Sequence, residues 1–464
     1  MPFSRSKKMN YSELREMYHD FIYKSFDIEE NSEKVKITYH FQITGLEEFS
    51  PYWEFPKKKT DTFCYKESTL FHNMVFSLGM VELVSYWKIC CPKLVHIQAG
   101  ALNAKQIAWW KELYFHGLGE FYYTNGIQVD IDSFMEIVSE RESIDAQKEE
   151  RKHLDGNLIP IGGGKDSAVT ISLLEEQKEK NYCYIINPRG ATIHTAERGG
   201  FGKERVVAVK RVLDKRMIEL NKRGFLNGHT PFSAIVSFSA TIAAYMNDLK
   251  YIVLSNESSA NESTVAGSTV NHQYSKSFKF EKDFHTYEET YIQSGTYYFS
   301  MLRPLSEFQI AKQFAKYTTY HDIFRSCNVG SKEDIWCGHC PKCLFVYIIL
   351  SPFLSLESLR EIFGTDMLDN MEMLPVMEQL IGLSKEKPFE CVGSRDEINT
   401  AICMAIEKNE KENRTLPKLF AHYKEQGLYE KNKGKEQYYC TFYDKEHLLP
   451  EMFDKILKRE CGLS

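Results

Sequence analysis

The sequence predicts an α/β protein with an open parallel sheet in its middle part, an N-terminal α+β domain and a mainly helical C-terminal region. Two observations carry this prediction. From residue 158 onward, short apolar runs alternate with longer segments of helical character, which is typical of a parallel sheet covered by helices. After residue 345 the strand-like runs stop and helical segments continue. We place the domains at residues 1–150, 151–345 and 346–464.

Length and composition describe an ordinary globular protein. The 464 residues are 43% hydrophobic and 26% charged, which suffices for two or three hydrophobic cores. No apolar run has the length of a membrane span, and no apolar segment of a signal peptide follows the basic residues near the start. The net charge of −6 argues against an obligate nucleic-acid binder. We expect a cytoplasmic protein that acts on a small molecule, with no membrane or nucleic-acid partner; the oligomeric state stays open.

In the first domain, residues 32–43 alternate apolar and polar side chains, which predicts a strand. Residues 69–88 and 104–116 carry apolar side chains at helical spacing and predict two helices. The highly charged segment 136–153 predicts a solvated helix that leads into the next domain.

The middle domain alternates between strand and helix signals. Strands are predicted at 158–161, 182–188, 206–211 and 250–256, and helices at 167–180, 214–224, 231–248 and 304–317. Ligands of open parallel sheets bind beyond the carboxyl ends of the strands. The loops at those ends read IGGGKDS (161–167), NPRG (187–190) and SNESSA (255–260), and we expect them to meet at one edge of the sheet.

The loop IGGGKDS is suited to hold a phosphate. Glycine loses much conformational freedom on folding, and its usual benefit is close approach of backbone N–H groups to an anion at a helix N-terminus. The spacing is neither that of a Walker A loop nor GxGxxG. The alternative is a glycine-rich structural turn in which Lys165-Asp166-Ser167 serves as the N-cap of a helix.

The same loop resembles the pyrophosphate loop (PP-loop) of the N-type ATP pyrophosphatases, usually written SGGxDS, with glycine in place of the leading serine. The resemblance implies an ATP site in which Ser167 and the amides of Gly162, Gly163 and Gly164 hold pyrophosphate. Lys165 or the backbone amides would compensate for the missing serine. Asp166 would lie near Mg²⁺, which binds carboxylate and phosphate oxygens.

Four cysteines form the one cluster among the twelve in the chain. Their spacing, C-x9-C-x2-C-x2-C, suits tetrahedral binding of a metal by thiolates, and we predict a structural Zn²⁺. An iron–sulfur cluster, a redox pair or no metal are the alternatives, and His339 is an alternative ligand. A similar arrangement occurs in ATP pyrophosphatases that make 7-cyano-7-deazaguanine, so the cluster does not select a function. The predicted ligands are Cys327, Cys337, Cys340 and Cys343.

Seven segments together resemble one family, the UDP-N-acetyl-α-D-muramoyl-L-alanyl-L-glutamate epimerases (MurL family), over nearly the whole chain. They are GLGEF (117–121), NGHTPFSA (227–234), SNESSA (255–260), VNHQYSKSFKFE (270–281), PLSEFQIA (304–311), WCGHCPKCLFV (336–346) and KPFECVG (387–393). The resemblance implies an isomerase of peptidoglycan precursor synthesis. Its substrate would be UDP-MurNAc-L-Ala-L-Glu, whose terminal L-glutamate it would invert with ATP and Mg²⁺, releasing AMP and pyrophosphate.

Inversion at a carbon usually needs two groups that transfer protons. The candidates are His272, Cys391 and Glu257. The alternatives are a phosphate ligand for His272, a small buried side chain for Cys391, and a Mg²⁺ ligand or a helix cap for Glu257. Lys276, Arg189 and Arg325 are candidates for binding the diphosphate and carboxylates of the substrate.

Other functions of this fold class stay open at this point. They are another PP-loop activity (7-deazaguanine precursor synthesis or tRNA thiolation) and non-catalytic nucleotide binding.

Overall fold

The computed structural model describes residues 9–141, 153–264 and 271–463. The chain has a mixed α/β architecture that divides into two compact units. The first unit takes in the described parts of residues 1–156, 207–252 and 282–297, and the second those of 157–206, 253–281 and 298–464. In these described ranges, no helix has both the length and the apolar character that crossing a membrane requires.

Eleven strands lie in the described ranges. They are β1 (Asp20–Glu30), β2 (Lys34–Ile43), β3 (Glu47–Phe49), β4 (Tyr52–Pro56), β5 (Leu94–Ile97), β6 (Glu136–Ser139), β7 (Asn157–Pro160), β8 (Asn181–Ile186), β9 (Val206–Val212), β10 (Tyr251–Leu254) and β11 (Tyr297–Ser300).

Eighteen α-helices lie in the same ranges. They are α1 (Tyr11–Met17), α2 (Thr69–Trp87), α3 (Ala104–Gly117), α4 (Gly119–Asn125), α5 (Lys165–Leu173), α6 (Gly190–Arg198), α7 (Lys215–Lys222), α8 (Phe232–Met246), α9 (Phe278–Tyr287), α10 (Glu307–Phe314), α11 (Pro341–Leu350), α12 (Leu356–Phe363), α13 (Leu374–Ile381), α14 (Arg395–Lys411), α15 (Lys418–Glu425), α16 (Leu428–Asn432), α17 (Glu436–Thr441) and α18 (Glu451–Cys461).

The first unit is built on strands in the order β9-β4-β2-β1-β5-β6, with β3 also paired to β2. β2 is antiparallel to β1 and β4, β9 is antiparallel to β4, and β5 is parallel to β1 and β6. Every second residue of β2 is buried, as its alternating pattern predicts. The helix predictions at 69–88 and 104–116 are confirmed by α2 and α3.

The helix prediction for residues 136–153 is wrong at its start. Residues 136–139 form β6, because Ile137 is buried where it pairs with Val95 of β5. The segment is rich in charged residues, which is the basis of the helix prediction. The burial of Ile137 beside β5 nevertheless makes residues 136–139 a strand. Residues 142–152 of the prediction lie outside the described residues.

The second unit contains strands in the order β11-β10-β7-β8, with β7 parallel to β8. The strand predictions at 158–161, 182–188 and 250–256 are confirmed. α5 follows β7 and packs against α10, and α10 packs against α11. Nearly every residue of α11 is buried, which explains why its sequence is apolar after Lys342. The helices after α11 confirm the mainly helical C-terminal region.

Candidate functional site

The turn between β7 and α5 has room only for glycine at its centre. Gly163 has a φ of +83°, and a Cβ there would lie 2.9 Å from the Cβ of Ala191 at the start of α6. A Cβ at Gly162 would meet nothing within 4 Å. The backbone N–H of Arg325 donates to the carbonyl of Gly163 at 2.7 Å. The conformation of the turn is therefore set by α6 and by the segment that leads to the cysteine cluster.

The N-terminus of α5 has no side-chain cap. Gly164 precedes the helix, and the hydroxyl of Ser167 donates to the Gly164 carbonyl at 3.1 Å rather than accepting from a backbone N–H. The predicted alternative, in which Lys165-Asp166-Ser167 caps the helix, therefore does not describe this turn. Uncapped N–H groups and the helix dipole make such an end favourable for an anion.

Lys165 is buried at the start of α5 and is 3% exposed. Its ammonium group forms ion pairs with Asp166 and Glu307. Burial by itself would lower the pKa of Lys165, but the two carboxylates outweigh burial and raise it. Lys165 is therefore a fixed positive charge inside an acidic group.

Three carboxylates from separate segments form that acidic group. Asp166 lies in α5, Glu257 follows β10, and Glu307 begins α10; one oxygen of each lies within 4.8 Å of the others. Burial raises the pKa of Glu307 above its usual range, and the charge of Lys165 opposes this rise. The pKa of Asp166 is lowered, because Lys165 and then Lys342 outweigh the effect of burial. Closely spaced carboxylate oxygens are the donors that Mg²⁺ prefers, so this acidic group fits the predicted Mg²⁺.

Cys391 lies in a group of basic side chains. Burial by itself would raise its pKa, but the charge of Lys276, a hydrogen bond from His272 and the charge of Lys342 lower it to about 6. The pKa of Lys276 is raised in turn, because Cys391 and Glu257 outweigh its burial. The ammonium of Lys342 donates to the backbone carbonyl of Cys391. These neighbouring cations therefore favour the thiolate form of Cys391 at neutral pH.

Arg303 holds two loops of the site together. Its guanidinium is fully buried and pairs with the buried carboxylate of Glu281 at 3.0 Å. It also donates to the backbone carbonyls of Glu257 and Lys276. One side chain therefore fixes the positions of an acidic-group residue and of the lysine beside Cys391.

Arg325 and Arg189, the two arginines predicted to bind substrate, lie in different environments. Arg325 is half-buried beside Gly163, and its Nε is buried with no hydrogen-bond partner among the described residues. Arg189 is exposed at the residue that precedes α6. In the described part of the chain, neither arginine forms an ion pair. The predicted residues that the structure does bring into one charged network are Lys165, Asp166, Glu257, Lys276 and Cys391.

The four predicted metal ligands, Cys327, Cys337, Cys340 and Cys343, meet in the second unit. Their sulfur atoms all lie within 4.8 Å of one another. His339, the alternative ligand, is exposed, and its Nδ1 lies 2.8 Å from the carbonyl oxygen of Cys337.

Three site residues were not predicted from the sequence: Glu307, Lys342 and Arg303. Glu307 follows Ser306 at the start of a helix, where an acidic residue suggests only favourable interaction with the helix dipole. Lys342 lies within the cysteine motif, which draws attention to the thiols. Arg303 follows β11, and only its burial marks it as more than a surface charge.

Comparison with known proteins identifies relatives of one kind. Two family models match the chain, the MurL N-terminal domain over residues 12–301 and the MurL C-terminal domain over residues 323–433. A UDP-N-acetyl-alpha-D-muramoyl-L-alanyl-L-glutamate epimerase from Xanthomonas oryzae pv. oryzae is 35% identical over 351 residues, which are 74% of this chain and 76% of that protein. Proteins of the same name from Micromonospora sp. and Salinispora tropica are 32% and 33% identical over 72% of this chain and 74% and 73% of their own lengths. No significant match to a solved structure was found.

Proposed function

The chain belongs to the MurL epimerase family, and from that premise we propose that it inverts the terminal L-glutamate of UDP-MurNAc-L-Ala-L-Glu to D-glutamate at the expense of ATP. In this proposal the second unit has a PP-loop core, and the reaction serves peptidoglycan precursor synthesis. The products are the D-glutamyl epimer, AMP and pyrophosphate.

One observation carries the chemical part of the proposal. Three features lie next to one another in the second unit: a turn suited to phosphate, an acidic group suited to Mg²⁺, and the Cys391 thiolate with the cations around it. Lys276 links the last two, since its charge interacts with Cys391, with Glu257 and with Asp166. An activating nucleotide and a proton-transferring group need this proximity, because both must act on the same glutamate.

Activation comes first, because a proton beside a carboxylate is hard to remove. An oxygen of the substrate carboxylate attacks the α-phosphorus of ATP, and the bond from that phosphorus to the pyrophosphate oxygen breaks. The backbone N–H groups of residues 162–167 and Lys165 would hold the phosphates. Asp166, Glu257 and Glu307 would hold Mg²⁺, which supplies charge neutralisation on the phosphates when bound.

Proton transfer follows on the acyl adenylate, whose ester-like carbonyl accepts the electron pair of the broken Cα–H bond. The Cys391 thiolate takes the proton from Cα, and a second acid, for which His272 is the candidate, returns one to the opposite face. Water then attacks the carbonyl carbon, the bond to the AMP oxygen breaks, and the D-glutamyl carboxylate is released. Cleavage of ATP makes the cycle favourable, although the two epimers have similar energies.

The test follows AMP release and deuterium at the glutamate Cα in D₂O, with purified protein, ATP, Mg²⁺ and UDP-MurNAc-L-Ala-L-Glu. We expect AMP together with a deuterated D-glutamyl product. AMP without deuterium at Cα would refute the epimerase, and deuterated product without AMP would refute the adenylate. The matched variant is Cys391→Ser, for which we expect AMP formation to persist and deuterium incorporation to fall by at least about a hundredfold.

A further inference from the structure

The four clustered sulfur atoms have the spacing of a single bound metal ion. The Sγ–Sγ distances are 3.8 Å for Cys327–Cys340, 3.7 Å for Cys337–Cys343 and 3.5 Å for Cys340–Cys343. Tetrahedral Zn²⁺ with Zn–S bonds of about 2.3 Å places its thiolates about 3.8 Å apart. A disulfide would need about 2.0 Å. An iron–sulfur cluster binds its cysteines to different iron atoms, which spreads the thiolates further apart.

The backbone around the cysteines supports thiolates rather than neutral thiols. The N–H of Gly330 donates to the sulfur of Cys327 at 3.1 Å. Gly338, between the second and third cysteines, has a φ of +75°, which turns the chain back sharply. Cys340 precedes α11 and Cys343 lies in its first turn, so both sulfurs face the same point near a helix N-terminus that favours negative charge.

The cysteine segment also touches the candidate site at three points. Arg325, two residues before Cys327, donates its backbone N–H to Gly163. Asp334, in the loop between the first two cysteines, accepts from the N–H of Ala191 at 2.9 Å. Lys342, between the last two cysteines, donates to the carbonyl of Cys391. No helix or strand lies between residues 321 and 340, so the shape of this segment depends on the cysteine cluster together with the packing of Phe324 and Trp336.

We propose that Cys327, Cys337, Cys340 and Cys343 bind one Zn²⁺, and that this zinc braces both the glycine turn and the loop of Cys391. The ion carries no reaction step, since all four of its positions are taken by thiolates. Binding releases the thiol protons and involves no oxidation. The zinc site stands independently of the epimerase; its importance for turnover rests on the proposed function.

Metal content tests the site itself. Protein purified without chelators is expected to hold one zinc per chain, and protein reconstituted with Co²⁺ is expected to give the visible bands of a tetrahedral cobalt thiolate. Cys337→Ser and Cys343→Ser should lose the metal, whereas Cys64→Ser, at an exposed cysteine outside the cluster, should keep it. Bound iron with sulfide, a disulfide within the cluster, or wild-type protein that does not retain zinc after reconstitution and dialysis would each overturn the assignment.

Hydrogen exchange tests the bracing without relying on activity. After zinc is stripped, amides of residues 161–168 and 387–393 should exchange at least about tenfold faster, while those of α2 should not change. Unchanged exchange in the two segments would overturn the bracing, and so would uniformly faster exchange, which would make zinc a requirement of the whole fold. Lys342→Met should keep one zinc and speed exchange only in 387–393. An inactive protein that passes these tests would contradict the epimerase and leave the zinc site standing.

Discussion

Replacing Lys276 by methionine should move the titration of Cys391 to higher pH. The Lys276 charge is the largest of the effects that lower the pKa of this thiol, which reaches about 6 against an ordinary value of 9.0. Because the thiolate is the form present above the pKa, its reactivity rises as pH increases through about 6 and is lost below that pH. Without Lys276 the rise should begin at higher pH, since His272 and Lys342 alone remain to favour the thiolate.

The size of the effect follows from these values. At pH 7 a thiol with a pKa of about 6 is about 90% ionised, and one at 9.0 is about 1% ionised. A nearby opposite charge changes a pKa by about 1 to 3. Lys276→Met should therefore reduce the thiolate fraction at pH 7 to between about 50% and 1%.

The assay is alkylation of Cys391 by iodoacetamide from about pH 5 to 9, followed by mass spectrometry of its peptide, with kcat/KM for epimerisation measured over the same range. Lys282→Met, at an exposed lysine in the first unit, is the matched control and should leave both profiles unchanged. A wild-type inflection near 8.5 or above, or the same inflection in wild type and Lys276→Met, would refute the reasoning.

Further predictions concern the glycine turn, the buried arginine and the acidic group. Gly163→Ala should destabilise the fold by about 1–2 kcal/mol in chemical denaturation and raise KM for ATP, because its φ of +83° and the 2.9 Å approach to Ala191 exclude a Cβ. Gly162→Ala is its control, and equal effects would contradict the role of Gly163. Arg303→Met should lower the free energy of unfolding by about 3–5 kcal/mol, because Glu281 would stay buried without its cation; a loss below about 1 kcal/mol would contradict this. Asp166→Asn should raise the Mg²⁺ concentration for half-maximal AMP formation by at least about tenfold, and an unchanged Mg²⁺ titration would exclude it as a ligand.

Features carried by one contiguous segment could be read from the sequence. The apolar spacing of α2 and α3, the short strands β7 and β10, the glycine turn and the cysteine motif each need only neighbouring residues to be recognised. β6 escaped prediction because its four residues lie at the edge of a charged segment, and pairing with β5 rather than local sequence makes them a strand.

Residues that depend on distant partners could not be read in the same way. Glu307 pairs with Lys165, 142 residues away along the chain, and only the folded chain brings the two together. In the sequence, Ser306 and Gln309 form a capping box around Glu307. This motif accounts for the local sequence and gives no sign that Glu307 has a further role. Arg303 could not be recognised from the sequence for the same reason. Its hydrogen-bond partners are distant along the chain: the carbonyl of Glu257 after β10, the carbonyl of Lys276, and the carboxylate of Glu281 in α9.

The C-terminal helical region contributes residues to the candidate site. Cys391 and Lys342 meet there, and Glu397 at the start of α14 accepts the backbone N–H of Glu307 at 2.7 Å, so it fixes the first residue of α10. Burial raises the pKa of Glu397, which marks it as a carboxylate held inside the second unit. The acidic group and Cys391 therefore depend on the same helices. This dependence gives a physical reason for the two parts of the chain to stay in one polypeptide, because in the proposed reaction the activated carboxylate is useful only while Cys391 lies beside it.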